Sequence, residues 1–549
     1  MENQLILTMV EYTGIQNYIF STNNLGINIG ASELVNLATS VWLFDALPHD
    51  NNMAIKRNQY QFDDSKSVLK TCEIQAEVIY YGGGNALLLF RDINIAREFT
   101  KNLSSIILMR APGLEVIIQH QEFDKTQSIC QIYFEELLPK MAKAKKQKLI
   151  STSMPGLSVT AQCVFTGKPA NVFAKLNEAE ISAHYLNEEI IAKHIARVSA
   201  EERLHALVPE MAPRKFDFIY DFDDFGTPGV SSYIGVVHID GNGLGKRIKK
   251  ELSKFNDPDR NADWLQYMRS FSSSIKETSC SAMKNTVKAL MDAYDPHENG
   301  WHRANSARKQ EFSSLIVHAN LKKRDRKIRL LPIHPIVFGG DDVTFIADGR
   351  LSLALAQEYL SNLNQEQNHL MDNKPLYSSA GIAMVHTHFP FSRAYDLSEE
   401  LIRSAKNMDG YPEIFSLDWH FATTDVIDTL ATIREKEHQV KSGSLALRPL
   451  FMAQENERWN TWDVFKDLTT FFQTDPVWSR RRNQQKTLKD ALRKGPDYVQ
   501  LFRRISLEGE LLPRYEEQLN FQGTGWYEGK CGYFDSLEAA DFFIPVGEN

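Results

Sequence analysis

The stretch PIVFGGDDVTFI, from Pro335 to Ile346, predicts two apolar strands joined by a turn of two glycines and two aspartates. Glycine permits a tight turn and lets a ligand approach the backbone closely. Because the segment from Val343 to Ile346 is apolar again, Asp341 and Asp342 are expected at the tip of an otherwise buried hairpin. Carboxylates in such a position suit the binding of a divalent cation.

The order of elements around this hairpin occurs twice in the chain, which indicates a duplication. ILTMVEYTGIQNYIF, from Ile6 to Phe20, and YIGVVHIDGNGLGKRI, from Tyr233 to Ile248, are both apolar strands that end in a carboxylate, Glu11 or Asp240. A glycine loop and a helical pattern follow each carboxylate. Further on come a glycine-centred hairpin (78–90 and 335–346), a helix (93–105 and 351–363) and a strand (114–119 and 377–385). This order predicts two ferredoxin-like βαββαβ domains of the Palm type.

The rest of the 549-residue chain completes a four-part α+β architecture. We expect a first Palm domain at 1–125, an α-rich middle domain at 126–225, a second Palm domain at 226–417 and a helical C-terminal domain at 418–549. Within the middle segment, helical patterns run from Asn171 to Leu207. Basic stretches lie at 143–148, 322–327 and 480–494, and they are either solvated faces or surfaces for a phosphate backbone.

Composition excludes several classes of protein. The chain is 43% hydrophobic and 24% charged with a formal charge of −8, which is globular and argues against a uniformly basic nucleic-acid coat. Its five cysteines form no CxxC pair, so neither a zinc ribbon nor a disulfide framework is supported. There is no signal-peptide pattern and no apolar run near the roughly 18 residues of a membrane span. We therefore expect a cytoplasmic protein without membrane contact.

Asp240 forms a predicted metal site together with Asp341 and Asp342. In polymerases and cyclases, two divalent ions about 4 Å apart activate a hydroxyl and neutralise charge on the transferred phosphate. Magnesium prefers hard oxygen ligands such as carboxylates. A strand-end carboxylate beside a carboxylate pair on the adjacent hairpin supplies such ligands. The three aspartates are therefore the predicted catalytic and metal-binding residues, with Mg²⁺ or Mn²⁺ as cofactor.

The loop that follows Asp240 is a predicted phosphate-binding element. Its exposed amides and the start of the next helix can cradle a triphosphate. An ordinary glycine-rich turn is equally compatible with the loop, and Lys406 alone is compatible with a lysine that interacts with a helix dipole. The predicted nucleotide-binding residues are Gly241, Asn242, Gly243, Leu244, Gly245, Lys246, Gly339, Gly340 and Lys406.

These motifs resemble a known family. FGGDDVTFI, HIDGNGLGK and SSAGIAMVHTHFPFSRAYDLSEELIRSAK resemble the second Palm of the large polymerase-cyclase subunit of type III CRISPR effector complexes, and GIQNYIFSTNNLGINIGASELV resembles its first Palm. The resemblance implies that ATP is converted to cyclic oligoadenylates in antiviral defence. It also implies metal ligation by Asp240, Asp341 and Asp342, and a phosphate-binding role for Lys406. The implied partners are the other effector subunits, one of them a small helical subunit at the C-terminal helices, and the guide and target RNAs whose recognition switches synthesis on.

Two departures from the family pattern leave alternatives open. The HD nuclease domain of many members is missing, and His49-Asp50 is a lone dipeptide, so we expect no intrinsic cleavage of single-stranded DNA. Cys163 lacks the paired cysteines of the family's zinc site. The alternatives are a stand-alone synthase of cyclic oligonucleotides and a catalytically silent RNA-binding scaffold. A diguanylate cyclase is chemically possible too, because the sequence does not determine the choice of base. A template-directed polymerase is less favoured, because Gly245 stands where such polymerases have a second carboxylate, about one turn past Asp240.

The two predicted Palms are unequal. Gly84 and Asn85 occupy the places of Asp341 and Asp342, so the first hairpin carries no acidic ligand. Glu11 alone should hold a divalent ion poorly, whereas the glycine-rich backbone of this hairpin can still bind a nucleotide. We therefore expect catalysis at the second Palm.

Overall fold

The structure is a computed structural model of the chain. It describes residues 4–56, 59–147, 159–176, 182–227, 231–302, 316–322, 325, 327–407, 413–422, 428–452, 458–513 and 520–546. Within these residues, no helix is both long and apolar enough to cross a membrane.

The first sheet domain has the predicted βαββαβ order. Its strands are β1 (Gln4–Thr13), β2 (Met53–Lys56), β3 (Gln59–Phe62), β4 (Ala76–Gly82), β5 (Asn85–Phe90) and β6 (Glu115–Asp124). Its helices are α1 (Ile15–Ile19), α2 (Leu25–Thr39), α3 (Val41–Asp45) and α4 (Ile93–Arg110). The sheet order is β4-β5-β1-β6, and β1 is antiparallel to both of its neighbours. This arrangement confirms the ferredoxin-like topology.

The middle segment contains both helices and strands. In chain order its elements are α5 (Ile129–Gln131), a π-helical turn (Ile132–Leu137), α6 (Leu138–Gln147), β7 (Val172–Ala174), β8 (His184–Leu186), α7 (Glu188–Leu207) and β9 (Phe216–Phe218). The expectation of helix from Asn171 onward is wrong for its first part, because β7 and β8 form an antiparallel hairpin there. The rings of Phe173 and Tyr185 contact each other across this hairpin, with centroids 4.8 Å apart and an interplanar angle of 46°.

The second sheet domain repeats the topology of the first and extends it. Its elements are β10 (Tyr233–Gly241), α8 (Leu244–Leu252), α9 (Asn261–Asp292), β11 (Gly300–His302), β12 (Ile316–His318), β13 (Asn320–Leu321), β14 (Arg329–Leu331), β15 (Ile333–Val337), β16 (Val343–Asp348), α10 (Ser352–Asn364), β17 (Ser378–His386), α11 (Phe391–Lys406) and β18 (Ser416–Phe421). The sheet order β15-β16-β10-β17 matches the order of the first sheet. The duplication inferred from the sequence is therefore also a duplication of fold.

The C-terminal segment is not purely helical. It contains α12 (Leu430–Glu437), β19 (Gln439–Val440), β20 (Gly443–Ser444), β21 (Leu450–Phe451), α13 (Trp462–Thr474), α14 (Arg482–Lys494), α15 (Pro496–Ser506), β22 (Trp526–Tyr527), β23 (Lys530–Cys531) and α16 (Phe534–Ala539). Strand β18 lies parallel to β17, and β21 pairs with β18, so the second sheet has two strands that the sequence did not predict. Strands β19, β20, β22 and β23 form a separate small sheet.

Successive side chains of β10 enter different cores, as the period of two in a strand requires. Val237 and Ile239 belong to the core beneath α9 and α10. Ile234 and Val236 belong to a core shared with the first sheet domain. His238 and Asp240 therefore lie on the strand face that is turned toward the first domain and α11.

The two sheet domains pack directly on each other. Ser32 Oγ on α2 donates a hydrogen bond to the Ile336 carbonyl on β15. On the opposite side, Arg269 on α9 forms an ion pair with Glu77 on β4, with an N–O distance of 2.8 Å. The hairpin tips also meet, because a Cβ built on Gly340 would lie only 3.8 Å from the Cα of Gly83. The second hairpin is thus attached to α2 of the first domain, the first hairpin is attached to α9 of the second domain, and the two tips face each other.

Candidate active site

The three predicted aspartates lie together at one end of the second sheet. In the β10–β16 register Ile239 pairs with Val343, so the next step along the register sets Asp240 opposite Asp342. Asp341 packs against Gly241, since a Cβ at Gly241 would lie 3.1 Å from the Asp341 Cβ. That spacing is tight, so glycine at 241 lets the hairpin tip close over the end of β10.

Asp341 is the electrostatically strained member of the group. Burial, followed by the negative charges of Asp240 and Asp342, raises the pKa of Asp341 from 3.8 to about 6. Carboxylates crowded together resist simultaneous ionisation unless a cation compensates them. A titratable group perturbed in this way at an accessible edge is typical of a functional site.

Lys406 supplies a positive charge at this edge. It ends α11, and its ammonium group forms an ion pair with Asp240 and donates a hydrogen bond to the Gly241 carbonyl at 3.0 Å. The sequence predicted a helix ending at Lys406 near the phosphates, and the structure brings the lysine to the expected strand end. The lysine shows that a cation is electrostatically accommodated beside Asp240.

Sequence reasoning missed His238, which contacts Asp342. Its Nε2 lies 3.0 Å from Asp342 Oδ1, and the residue is only 5% exposed. The Tyr395 ring of α11 stacks on the imidazole, with centroids 5.0 Å apart and an interplanar angle of 28°. A signal was available, because His238 precedes Asp240 by two residues and therefore shares its strand face.

The donor set suits magnesium or manganese, although the side chains are now turned to other partners. Among the described residues, no group of three or more His, Cys, Asp or Glu side chains is arranged to hold a metal ion. The reason is visible in the pairings, because Asp240 contacts Lys406 and Asp342 contacts His238. Three carboxylates are nevertheless the hard oxygen donors that these ions prefer. Burial and the charges of Asp240 and Asp342 raise the pKa of Asp341 even though Lys406 is nearby, so a cation at this position is electrostatically favoured.

The glycine loop leads directly into α8. Gly243 has a φ of 63°, a left-handed conformation that favours glycine, and the helix begins at Leu244 as predicted. Gly245 and Lys246 are exposed to solvent. Asn242 instead holds the loop in place, since its side-chain amide donates to the Ile414 carbonyl at 2.9 Å. The exposed helix start beside the aspartates is a suitable position for a phosphate group.

The first sheet domain contains an ion pair that corresponds to the Asp240–Lys406 pair of the second domain. Glu11 faces Asn85 across β1 and β5, in the position where Asp240 faces Asp342. Its carboxylate forms an ion pair with Lys145 on α6. Lys145 lies on the helix that follows β6, just as Lys406 lies on the helix that follows β17. The glutamate of the first domain is thus already neutralised by a lysine.

The π-helical turn explains how Lys145 reaches this position. One additional residue in a helical turn shifts the following side chains by about 100° around the axis. Tyr133, within the turn, and Lys145, beyond it, consequently face the same side of the helix, toward the first sheet. In an uninterrupted α-helix Lys145 would lie about 120° around the axis from Tyr133.

Comparisons with known proteins can now be set beside this geometry. Residues 233–414 match the family model of the second palm domain of Cas10/Cmr2. The chain is Cas10-like in this domain. The match confirms the resemblance seen in the second Palm motifs. No curated protein sequence matches the chain.

Solved structures similar to this chain have the same fold across nearly its whole length. A chain of the Csm1–Csm4 cassette in complex with cA3 has 10% identity and a TM-score of 0.53, with 98% of this chain and 70% of that chain covered. A chain of the Csm1–Csm4 cassette in complex with AMPPNP has 12% identity and a TM-score of 0.50, with 98% of this chain and 70% of that chain covered. Csm1 in T. onnurineus has 11% identity and a TM-score of 0.51, with 98% of this chain and 69% of that chain covered. At these identities the likeness establishes the fold.

The remaining predicted features lie away from the aspartates. His49 and Asp50 are exposed in a loop, and Cys163 is a buried free cysteine. In the basic stretches, Lys322 forms an ion pair with Asp217, and Arg482 forms one with Asp541 at 3.2 Å. Residues 148, 323, 324 and 326 of these stretches lie outside the described residues.

Proposed function

We propose that this chain is a metal-dependent nucleotidyltransferase that converts ATP into short cyclic oligoadenylates. The observation that carries the proposal is the group of three aspartates, in which Asp341 is ionised against the charges of Asp240 and Asp342. The exposed start of α8 lies next to this group and suits a triphosphate. A scaffold would gain nothing from such a destabilising concentration of charge.

The proposed reaction joins two nucleotides and releases pyrophosphate. A ribose hydroxyl oxygen of one ATP bonds to the α-phosphorus of another, the bond between that phosphorus and the pyrophosphate oxygen breaks, and the hydroxyl proton is lost. Bound divalent ions would lower the pKa of the hydroxyl and neutralise the phosphate charge. Asp240, Asp341 and Asp342 would hold these ions, and Lys406 would exchange its contact with Asp240 for the phosphates.

The unequal charges of the two Palms support different roles for them. Each Palm has one lysine–carboxylate pair at this position, but the second Palm has two further carboxylates on its hairpin, whereas the first hairpin has none. Its glycine hairpin meets the second hairpin at Gly83 and Gly340. We infer that the first Palm presents the attacking nucleotide and that the second Palm activates the phosphate under attack.

The choice of ATP and of partners rests on the similar structures. Their descriptions name cA3, cA4, AMPPNP and the Csm4 subunit, and one is a subcomplex of the type III-A CRISPR-Csm interference complex. By analogy, this chain would act in antiviral defence as the large subunit of a type III effector complex. Its partners would be the other subunits, the guide RNA and the target RNA.

Incubation of the purified chain with each labelled nucleoside triphosphate and Mg²⁺ or Mn²⁺ tests the proposal, with and without partner subunits and RNA. We expect oligoadenylate from ATP and no product from the Asp341→Ala/Asp342→Ala variant. Asp223→Ala, which removes an exposed carboxylate outside the site, should retain activity. If the wild-type protein forms no nucleotide product under any condition, the proposal is refuted and the scaffold alternative is favoured. If product forms from GTP alone, the substrate is GTP and not ATP.

A further inference from the structure

His238 is held in one orientation by aromatic packing from both sheet domains. Its ring stacks on Tyr395, and Tyr395 in turn stacks on Phe20 of the first domain, with centroids 4.2 Å apart and an angle of 29°. Phe391, at the start of α11, is fixed to the first domain by a backbone hydrogen bond to Asn23 Oδ1 at 2.8 Å. The imidazole plane therefore has little freedom to turn.

The fixed ring directs one nitrogen at Asp342. Nε2 lies 3.0 Å from Asp342 Oδ1, and an ionised carboxylate can only accept a hydrogen bond, so the nitrogen is the donor. The other ring nitrogen, Nδ1, is buried and has no hydrogen-bond partner among the described residues. Nε2 also lies 3.4 Å from the Tyr395 hydroxyl, so the polar contacts of the histidine run through Nε2, and the shorter one is to the hairpin aspartate.

We propose that His238 is a positioning residue for the metal site: by donating to one oxygen of Asp342, it orients the other oxygen for a divalent cation. Asp342 is partly exposed at a glycine-rich tip, where its side chain would otherwise sample several rotamers. Groups that hydrogen-bond to a ligating carboxylate fix its direction, and their loss typically weakens metal binding about 10- to 100-fold. The inference rests on the proposed function, because it assigns Asp342 to the metal.

A matched pair of amide substitutions separates this role from packing. In His238→Gln the amide nitrogen can reach the position of Nε2, whereas in His238→Asn the shorter side chain reaches only the position of Nδ1. Both variants keep a polar planar group beside Tyr395, so they differ chiefly in the contact with Asp342. His386→Ala removes a histidine at the far end of the same sheet, next to Tyr233, and serves as the control.

The readout is Mn²⁺ affinity, measured by electron paramagnetic resonance titration of the full chain without nucleotide. Thermal unfolding of each variant verifies that it is folded. We expect His238→Asn to weaken Mn²⁺ binding by about 10- to 100-fold, and we expect His238→Gln and His386→Ala to bind nearly as wild type. A double variant with Asp342→Ala should bind no more weakly than Asp342→Ala alone, since the two side chains act through one contact.

The outcomes distinguish this inference from the proposed function. If Asp240→Asn and Asp342→Ala leave Mn²⁺ affinity unchanged, the metal site itself is refuted. If those variants weaken binding but His238→Asn does not, the positioning role alone is refuted. Equal weakening by His238→Gln and His238→Asn also overturns it, because packing would then account for the effect.

Discussion

Replacing Asp341 with asparagine should stabilise the metal-free protein at neutral pH. Burial and the neighbouring Asp240 and Asp342 raise the pKa of Asp341 from 3.8 to about 6, so at pH 7 the ionised side chain is held in an unfavourable environment. At about 1.4 kcal/mol for each tenfold change in acidity, the difference corresponds to about 3 kcal/mol. Asparagine has nearly the same shape without the charge, so this value is the upper limit of the gain.

The sign of the pH dependence follows from the direction of the pKa change. The folded-state pKa of Asp341 is above the unfolded value, so the folded protein retains this proton to higher pH. Its contribution to stability is fully present below about pH 4 and is lost as the pH rises through about 6. The advantage of Asp341→Asn should therefore be absent near pH 4, increase between pH 4 and 6, and stay constant above.

Urea unfolding of both proteins across this pH range, with chelator present, measures the difference. Adding Mn²⁺ should then stabilise the wild type more than the variant, because ligand binding to the folded state adds to its stability. Asp223→Asn is the control for loss of a carboxylate outside the site. A variant that is less stable than wild type at pH 7 without metal, or whose difference from wild type is independent of pH, would refute the electrostatic reasoning.

Three further predictions concern Glu11, the His49-Asp50 dipeptide and the basic stretch at 480–494. Glu11→Gln should reduce oligoadenylate synthesis far less than Asp240→Asn, because Gly84 and Asn85 give the first hairpin no carboxylate to bind a metal together with Glu11; equal losses in initial rate would contradict this. The protein should not cleave single-stranded DNA, because His49-Asp50 is a lone dipeptide. Metal-dependent nicking that is lost on changing His49 or Asp50 would refute this prediction. Charge reversal at residues 480–482 should alter the dependence of turnover on RNA and partner subunits. Full turnover by the lone chain, unaffected by RNA and by that reversal, would reject gating through this surface.

The parts of the fold that the sequence predicted depend on local signals. Apolar runs and the glycines of both hairpins marked the βαββαβ order, and both sheets have it. Strand β18 was missed because it joins the sheet by parallel pairing with β17, across an intervening helix, and its DWH segment is not markedly apolar. The hairpin of β7 and β8 was missed because its strands are three residues each and half-exposed.

The same distinction applies to the site. Asp240, Asp341, Asp342 and Lys406 were found because each lies at a recognisable end of an element. The contact between Glu11 and Lys145 was not found, since it joins distant parts of the chain and depends on a π-helical turn that the sequence pattern does not reveal. Pairings of this kind are determined by tertiary packing and become visible only in the structure.

The inequality of the two Palms has an electrostatic explanation in their packing. The hairpin tips meet at Gly83 and Gly340, so aspartates on both would bring two carboxylate groups together. Two like charges 4 Å apart near a protein surface repel by about 4 kcal/mol, and a second cluster would add several such pairs. Gly84-Asn85 avoids this repulsion, and Lys145 removes the charge that Glu11 would contribute. Close approach of the tips is therefore electrostatically more favourable with only one concentrated acidic cluster in the metal-free protein.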